Sequence, residues 1–192
     1  MKYFINSNEL KKATEKLYLL IDTKNPVGAT NKFYLSFDKD ILTIQACDIR
    51  NGMLATAQVK TKANSDDYPV KTTLITALNL YNLAKSFSNK ELQFTILDDE
   101  IKIETETGRY RFNIYPADNW NIIDVPLEEN IILRQSISTD RIKRVLNKII
   151  YIAGSGELSS KVAGVLFDFD YSQLRIVATD GYRIIKYTLD GI

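Results

Sequence analysis

The 192-residue chain repeats itself, and that repeat limits its possible folds more than any single motif does. Leu42 to Leu54 (LTIQACDIRNGML) and Leu174 to Leu189 (LRIVATDGYRIIKYTL) match at a constant separation of 132 residues: Leu42 with Leu174, Ile44 with Ile176, Ala46 with Ala178, Cys47 with Thr179, Asp48 with Asp180. The alternation in both runs is the period-2 signature of half-buried strands, and the Thr179-Asp180-Gly181 junction is a tight-turn signal. The register continues upstream without a gap. Phe33, Leu35, Phe37 and Asp38 fall on Val165, Phe167, Phe169 and Asp170, and Leu10, Lys12, Lys16 and Leu17 fall on Ile142, Arg144, Lys148 and Ile149. Helix and strand periods kept together over such a length are a repeat of structure. A third, looser copy lies between the two. It has a helix pattern over Thr76 to Phe87 and three short strands in ELQFTILDDEIKIETETGRYRFNI, with turns at Asp98-Asp99 and Thr107-Gly108. The chain therefore reads as three modules of about sixty residues, each strand–helix–strand–strand with more strand to follow, an α+β class.

In the first module Lys2 to Ile5 is a strand, and Asn6 or Ser7 caps a helix from about Asn8 to Ile21. Leu10, Ala13, Leu17 and Leu20/Ile21 form its inward face; Glu9, Lys12 and Lys16 share the opposite one. Strands follow at Phe33–Phe37, Ile41–Ala46 and Met53–Val59, and the polar run Lys60 to Pro69 reads as a connector. The second module opens with Val70 to Ile75 and caps on Thr76. Its helix turns Ala77, Leu80, Ala84 and Phe87 inward and has Lys85 as its only outward charge. The third opens with a strand over Ile131 to Ile137 and caps on Ser138. Its helix turns Ile142, Val145, Leu146, Ile149 and Ala153 inward; Arg141, Arg144, Lys148 and Tyr151 line the other side. Ile122 to Asn130, with a proline and paired acids, reads as an interdomain linker, which divides the chain into 1–125 and 126–192. Trp120 reads as a core or lid residue.

Net charge is +1, so any basic surface must come from segregation of charge. A basic helix stripe is ordinarily a solvated face. Here Lys12 and Lys16 recur as Arg144 and Lys148, which favours a shared positive surface on the helix side. The sequence has no His and one cysteine, Cys47, which removes the commonest general base and any zinc site of the usual Cys/His type. No Gly-rich phosphate loop occurs, and Asp66-Asp67, Asp98-Asp99 and Glu128-Glu129 read as solvated turn residues. No catalytic residue, metal site or cofactor is expected, and the chain reads as a non-enzyme. No apolar run reaches the ~18 residues of a membrane span, and the opening MKYFINSNELKK has no secretory h-region, so a soluble cytoplasmic protein is expected.

Four segments carry a family resemblance. VATDGYRI, MKYFINSNELKKATEKL, TGRYRFNIYPADNW and DRIKRVLNKI resemble, in collinear order, the bacterial sliding clamp, the β subunit of DNA polymerase III. The resemblance implies a DNA-clamp fold in which each domain is two modules related by a pseudo-twofold, helices on one side and antiparallel sheets on the other. Residues 1–125 would be clamp domain one and 126–192 the first half of domain two. In the family three domains make a subunit and two subunits close a ring around duplex DNA. The implied function is a processivity factor that holds double-stranded DNA without reading bases and docks polymerase and clamp-loader subunits through their clamp-binding peptides. The resemblance also assigns sites. Lys24 falls on a DNA-contacting arginine, and Ser160 and Lys161 fall in a DNA-reaching loop where some members have tyrosines. With the helix residues Lys12, Lys16, Lys85, Arg141, Arg144 and Lys148 they make the expected DNA surface. Val162, Thr179, Gly181, Tyr182, Arg183 and Ile184 fall on the first half of the peptide pocket, Tyr182 standing where the family often has His. Phe112 and Ile114 fall on the strand that pairs across the subunit interface, and a homo-oligomer is expected.

A family subunit has six such modules and this chain three. Two readings of that length stand side by side: a fragment of a longer chain, or a short form that completes its third module with a partner. A second function class competes with the clamp, a non-encircling protein-interaction module or clamp mimic that competes for the same peptides.

Overall fold

A computed structural model of the chain describes residues 1–23, 28–64, 69–118, 120, 128–134, 136–153, 163–170 and 172–191. Its elements follow the three modules. The first holds β1 (Lys2–Asn6), α1 (Ser7–Tyr18), β2 (Lys32–Asp38), β3 (Ile41–Asp48) and β4 (Met53–Ala63). The second holds β5 (Lys71–Thr76), α2 (Ala77–Ser86), β6 (Glu91–Ile96), β7 (Glu100–Glu104) and β8 (Arg109–Tyr115). The third holds α3 (Thr139–Ile149), β9 (Val165–Asp170), β10 (Gln173–Thr179) and β11 (Ile184–Asp190). The caps do what their chemistry predicts. Asn6 Oδ1 accepts the Asn8 N–H at 2.9 Å, and Ser138 Oγ accepts the Arg141 N–H at 3.2 Å, each satisfying an orphan donor of the first turn. Thr76 holds the N-cap position of α2 without a side-chain bond.

The residues fall into two compact units, 1–125 and 126–192. In unit 1 the strands hydrogen-bond in the order β1-β4-β3-β2-β5-β8-β7-β6, and β6 pairs back to β1. The order has an internal symmetry. Exchanging β1–β4 with β5–β8 turns every pairing into another observed pairing: β1 with β6 becomes β5 with β2, and β1 with β4 becomes β5 with β8. The registers obey the same exchange. Ile5 lies opposite Leu92 as Ile75 lies opposite Phe33, and Lys2 opposite Thr95 as Thr72 opposite Ser36. Each module's first strand is thus held chiefly by its sister. β1 pairs with β6 along Lys2–Asn6 but with its own β4 only at Tyr3–Ile5; β5 pairs with β2 along Lys32–Phe37 but with β8 only at Leu74 and Ile75. The inward residues of the strands (Phe33, Leu35, Phe37, Leu92, Phe94) share one core with Leu10, Ala13 and Leu17 of α1 and Ala77, Leu80, Leu83 and Ala84 of α2. Tyr18 of α1 stacks on Tyr81 of α2 at 4.2 Å.

β4 runs four residues beyond the expected Val59, through the stretch read as a connector. Its first part pairs with β3 and its end with β1, and Thr61 is buried with its N–H on the Asp40 carbonyl at 2.7 Å and its hydroxyl on the Lys39 carbonyl at 2.9 Å. Polar residues are kept in a strand there because backbone groups far away in sequence bond them. α1 also ends earlier than expected, at Tyr18, with Leu19 exposed. The linker expected at 122–130 lies largely outside the described residues; Glu128–Asn130 is a 3₁₀ turn.

Unit 2 is a three-stranded antiparallel sheet, β11-β10-β9, with α3 against one face. Val145, Ile149, Leu174, Ile176, Ala178 and Leu189 are buried, with Ile142, Leu146, Val165, Ile185 and Tyr187 packed around them. The strand expected over Ile131–Ile137 does not form among the described residues 131–134 and 136–137. The physical reason is legible in unit 1: a module's first strand takes most of its hydrogen bonds from a sister module, and unit 2 holds one module. For the same reason Phe167 and Phe169, which sit opposite Ile176 and Leu174 on the core face, stay 40% and 47% exposed.

Candidate functional site

The helices turn their charged residues away from the cores, in unequal measure. On α1, Lys12 and Lys16 are exposed beside Glu9 and Glu15, and neither lysine makes an ion pair among the described residues. On α2, Lys85 is exposed with its Nζ 5.0 Å from the Tyr81 ring centroid, so a cation lies on the rim of the Tyr18–Tyr81 stack. α3 is the most basic: Arg141, Lys143, Arg144 and Lys148 are exposed, and Asp140 in the first turn is its only acid. Arg141 donates to the Asp190 carbonyl at 3.0 Å and Lys148 to the Tyr187 hydroxyl at 3.2 Å, so both lean over β11, while Arg144 points to solvent. Lys143 escaped the sequence reading; four cations in eight residues were the available signal. Lys24, Ser160, Lys161 and Val162 lie outside the described residues.

The second group sits on the sheet face of unit 2 opposite α3. The β10–β11 turn is built around one carboxylate. Asp180 Oδ1 accepts the N–H groups of Tyr182 at 2.9 Å and Arg183 at 2.7 Å, and Oδ2 accepts Arg183 Nε and Nη2 at 3.0 and 2.8 Å. The Arg183 backbone bond, then its guanidinium, lowers the Asp180 pKa to about 2. Thr179 Oγ accepts the Gly181 N–H at 3.0 Å, and Gly181 takes φ +89°, open to glycine at little cost. The turn leaves Tyr182 and Ile184 94% and 70% exposed. The same device caps the corresponding turn of the first module, where Asp48 accepts from the Asn51 amide and N–H, chiefly the amide, and its pKa is likewise lowered.

Beside this turn lies a cleft of about 500 Å³ lined by Gly164, Val165, Leu166, Val177, Ala178, Thr179 and Ile184. Of the residues expected there, Thr179 and Ile184 line it; Gly181, Tyr182 and Arg183 form the adjoining turn. Leu166 and Val177 were missed. They face each other across β9 and β10 on the outer face, where the alternation calls for polar residues, and that break in the pattern was the signal. In unit 1 the equivalent positions are Tyr34, Gln45, Cys47 and Leu54, and there the cleft is filled. Trp120 is buried over Cys47 and Leu74, stacks on Tyr34 at 5.5 Å and donates its indole N–H to Gln45 Oε1 at 2.9 Å. Burial, then the nearby Asp48 charge, raises the Cys47 pKa.

Phe112 and Ile114 lie on β8. Ile114 is buried in the unit 1 core and paired with Ile75, so it faces inward; Phe112 is half-buried against the same core. The open feature of β8 is backbone: Arg109–Asn113 pair with β7 on one side and with no other described strand. Among the described residues no three His, Cys, Asp or Glu side chains are grouped to hold a metal ion, and no helix is long and apolar enough to cross a membrane.

A family model for the DNA polymerase III beta subunit, N-terminal domain, matches residues 1–124. The chain belongs to that family. A beta sliding clamp of Buchnera aphidicola (subspecies Acyrthosiphon pisum) is 22% identical over 96% of this chain and 48% of its own length. That of Pseudomonas aeruginosa is 21% identical over 100% of this chain and 50% of its own. The chain spans about half the length of the curated relatives it matches. Solved beta subunits share the fold. The Pseudomonas aeruginosa DNA polymerase III subunit beta superposes with a TM-score of 0.86 at 17% identity, covering 100% of this chain and 50% of that one. The Helicobacter pylori beta clamp bound to a DNA ligase peptide gives 0.82 at 19% identity, covering 99% and 51%. The α+β clamp fold is thereby established for this family member, with repeated modules carrying helices on one side and antiparallel sheets on the other.

Proposed function

We propose that the chain works as a sliding clamp, or as the N-terminal half of one: a non-enzymatic processivity factor in DNA replication that holds duplex DNA without reading its bases and docks replication proteins by their peptides. In this reading unit 1 is clamp domain one and unit 2 the first half of domain two. The observation that carries it is the outer face of α3, with Arg141, Lys143, Arg144 and Lys148 against a single Asp140. Such a face neutralises phosphates, and phosphate contacts carry no sequence information, so affinity through them is general and falls steeply with salt. Lys12, Lys16 and Lys85 extend the same use to unit 1, and Lys24, Ser160 and Lys161 are assigned to it by family position. The cleft beside Ile184 and Thr179 supplies the docking function. An uncovered apolar cleft on an otherwise solvated sheet face suits one bulky apolar anchor of a peptide, and a peptide-bound clamp is among the structures with this fold. Val162 is assigned to the same pocket. The open β8 backbone at 109–113 is the subunit contact of this reading, with Phe112 beside it. The clamp would act in the cytoplasm, on replicating DNA.

The mixed charge of α1, two glutamates among its lysines, favours the second reading, a protein-interaction module that never encloses DNA. Binding of the chain to two duplexes of unrelated sequence, across a series of salt concentrations, tests the first. Equal affinities with a steep common salt slope are expected; a sequence preference, or no binding at low salt, contradicts it.

A further inference from the structure

The strand registers map the outer face of unit 2. Leu166 on β9, Val177 on β10 and Lys186 on β11 lie side by side in one row, with Thr179 and Ile184 in the next row toward the turn. Leu166, Val177, Thr179 and Ile184 line the cleft, and Lys186, exposed at the end of its row, borders it. Cross-strand partners in an antiparallel pair have Cβ atoms about 5 Å apart, so the lysine begins one strand away from the cleft floor. A lysine stem follows apolar surface while its ammonium stays in water.

The other two modules hold the same pair of positions and satisfy it from within. In the first module the pair is Gln45 and Thr56: the Gln45 amide donates to the Thr56 hydroxyl at 3.4 Å and accepts the Trp120 indole N–H. In the second it is Glu104 and Arg109, joined by an ion pair at 3.0 Å, with Gln93 donating to the same carboxylate at 2.8 Å. A cation at this place thus takes a carboxylate from the floor position beside it. In the third module the floor position is Val177, which has none to give. Arg175 is matched by Asp168 and Asp170, and Arg183 by Asp180, whereas Lys186 makes no hydrogen bond or ion pair among the described residues.

We infer that Lys186 selects what docks in the cleft: a peptide with a bulky apolar anchor and a carboxylate about two residues from it. The inference rests on the docking role proposed above for this cleft. With its anchor on Leu166 and Val177, the ligand occupies the place from which Glu104 serves Arg109 in the second module, so the carboxylate comes from the ligand. Side chains two apart along an extended peptide share a face and lie about 7 Å apart, a step that a lysine side chain spans from the neighbouring strand. The carboxylate falls on the β11 side, because on the β9 side Asp168 and Asp170 already occupy Arg175. The pair is exposed to solvent, so it discriminates between peptides more than it adds affinity, and it weakens with salt.

The test is the fluorescence anisotropy of a labelled clamp-binding peptide with a phenylalanine anchor, made in two versions that carry aspartate or lysine two residues to either side of it. The wild-type chain should bind the aspartate version about fivefold more tightly at low salt. Lys186→Gln should remove the preference and Lys186→Glu should reverse it; neither disturbs the core, since the side chain is exposed. Leu166→Gln, a neutral change within the cleft, should weaken both versions alike. Equal binding of the two versions by the wild-type chain overturns the inference, as does a preference that persists in Lys186→Gln. If Leu166→Gln still weakens both versions in either case, the docking role stands without the charge selection. Binding of neither version overturns the inference and the docking role together.

Discussion

Trp120 donates its indole N–H to Gln45 Oε1 at 2.9 Å and so closes, in unit 1, the cleft that remains open in unit 2. Gln45 and Val177 occupy the same position of the repeat, the one polar beneath an indole, the other apolar and lining a cleft. A bulky aromatic group already fits this fold at that place, which is a physical reason to expect an apolar anchor from outside at its counterpart.

Removing the plug should therefore be costly. Trp120→Ala is expected to destabilise unit 1 by about 3 kcal/mol, the low end for a large aromatic since Trp120 lies at the rim of the unit and not at its centre. Gln45→Leu should cost about 1–3 kcal/mol by leaving the buried indole N–H without an acceptor. Urea unfolding followed by far-UV circular dichroism measures both. For Gln45→Leu the fluorescence of Trp120, the sole tryptophan, should report the same transition.

The open cleft should respond to charge. Val177→Glu, outward-facing and so harmless to the core, is expected to weaken a clamp-binding peptide at least about tenfold by placing a carboxylate against its apolar anchor. Calorimetry decides; an unchanged dissociation constant in Val177→Glu would take the anchor out of this cleft.

The Asp180 turn has a defined pH window. Its folded pKa, about 2, lies below the ordinary 3.8, so its contribution is complete above 3.8 and is lost as pH falls through about 2. Amide exchange at Tyr182 and Arg183, whose N–H groups the carboxylate accepts, should accelerate over that interval relative to amides of β10. Asp180→Asn should show the faster exchange at neutral pH and no step in acid.

On α3, Arg144→Glu with Lys148→Glu should weaken DNA binding equally for all sequences. Each phosphate that is no longer neutralised flattens the plot of log K against log salt by about 0.9. Arg144→Glu alone should have most of the effect, since Lys148 is already engaged with Tyr187.

Much of the fold was legible because the repeat let each module correct the others: the caps at Asn6 and Ser138, the helix faces, and the strands from Phe33 to Ala46 stand where periodicity put them. Two of the misses share one cause, pairing between residues distant in sequence. Lys60–Ala63 reads as a connector until Tyr3–Ile5 come to lie beside it. Ile131–Ile137 reads as a strand but has no sister module among the described residues of unit 2 to hold it. Leu166 and Val177 are a different case: they pair within one hairpin, and the break in polar alternation at both positions marked them. Ile114 lies on the strand that family position assigned it, with its side chain turned into the core where it pairs with Ile75.

Enclosure of DNA, as opposed to simple attachment to its surface, is tested by retention. The chain, loaded with a bacterial clamp loader on a nicked plasmid circle, is washed at a salt concentration that abolishes simple phosphate binding, and the plasmid is then cut once. Retention on the circle is expected, followed by rapid loss after cutting as the protein slides off the ends. Equal dissociation from circular and linear DNA would rule enclosure out.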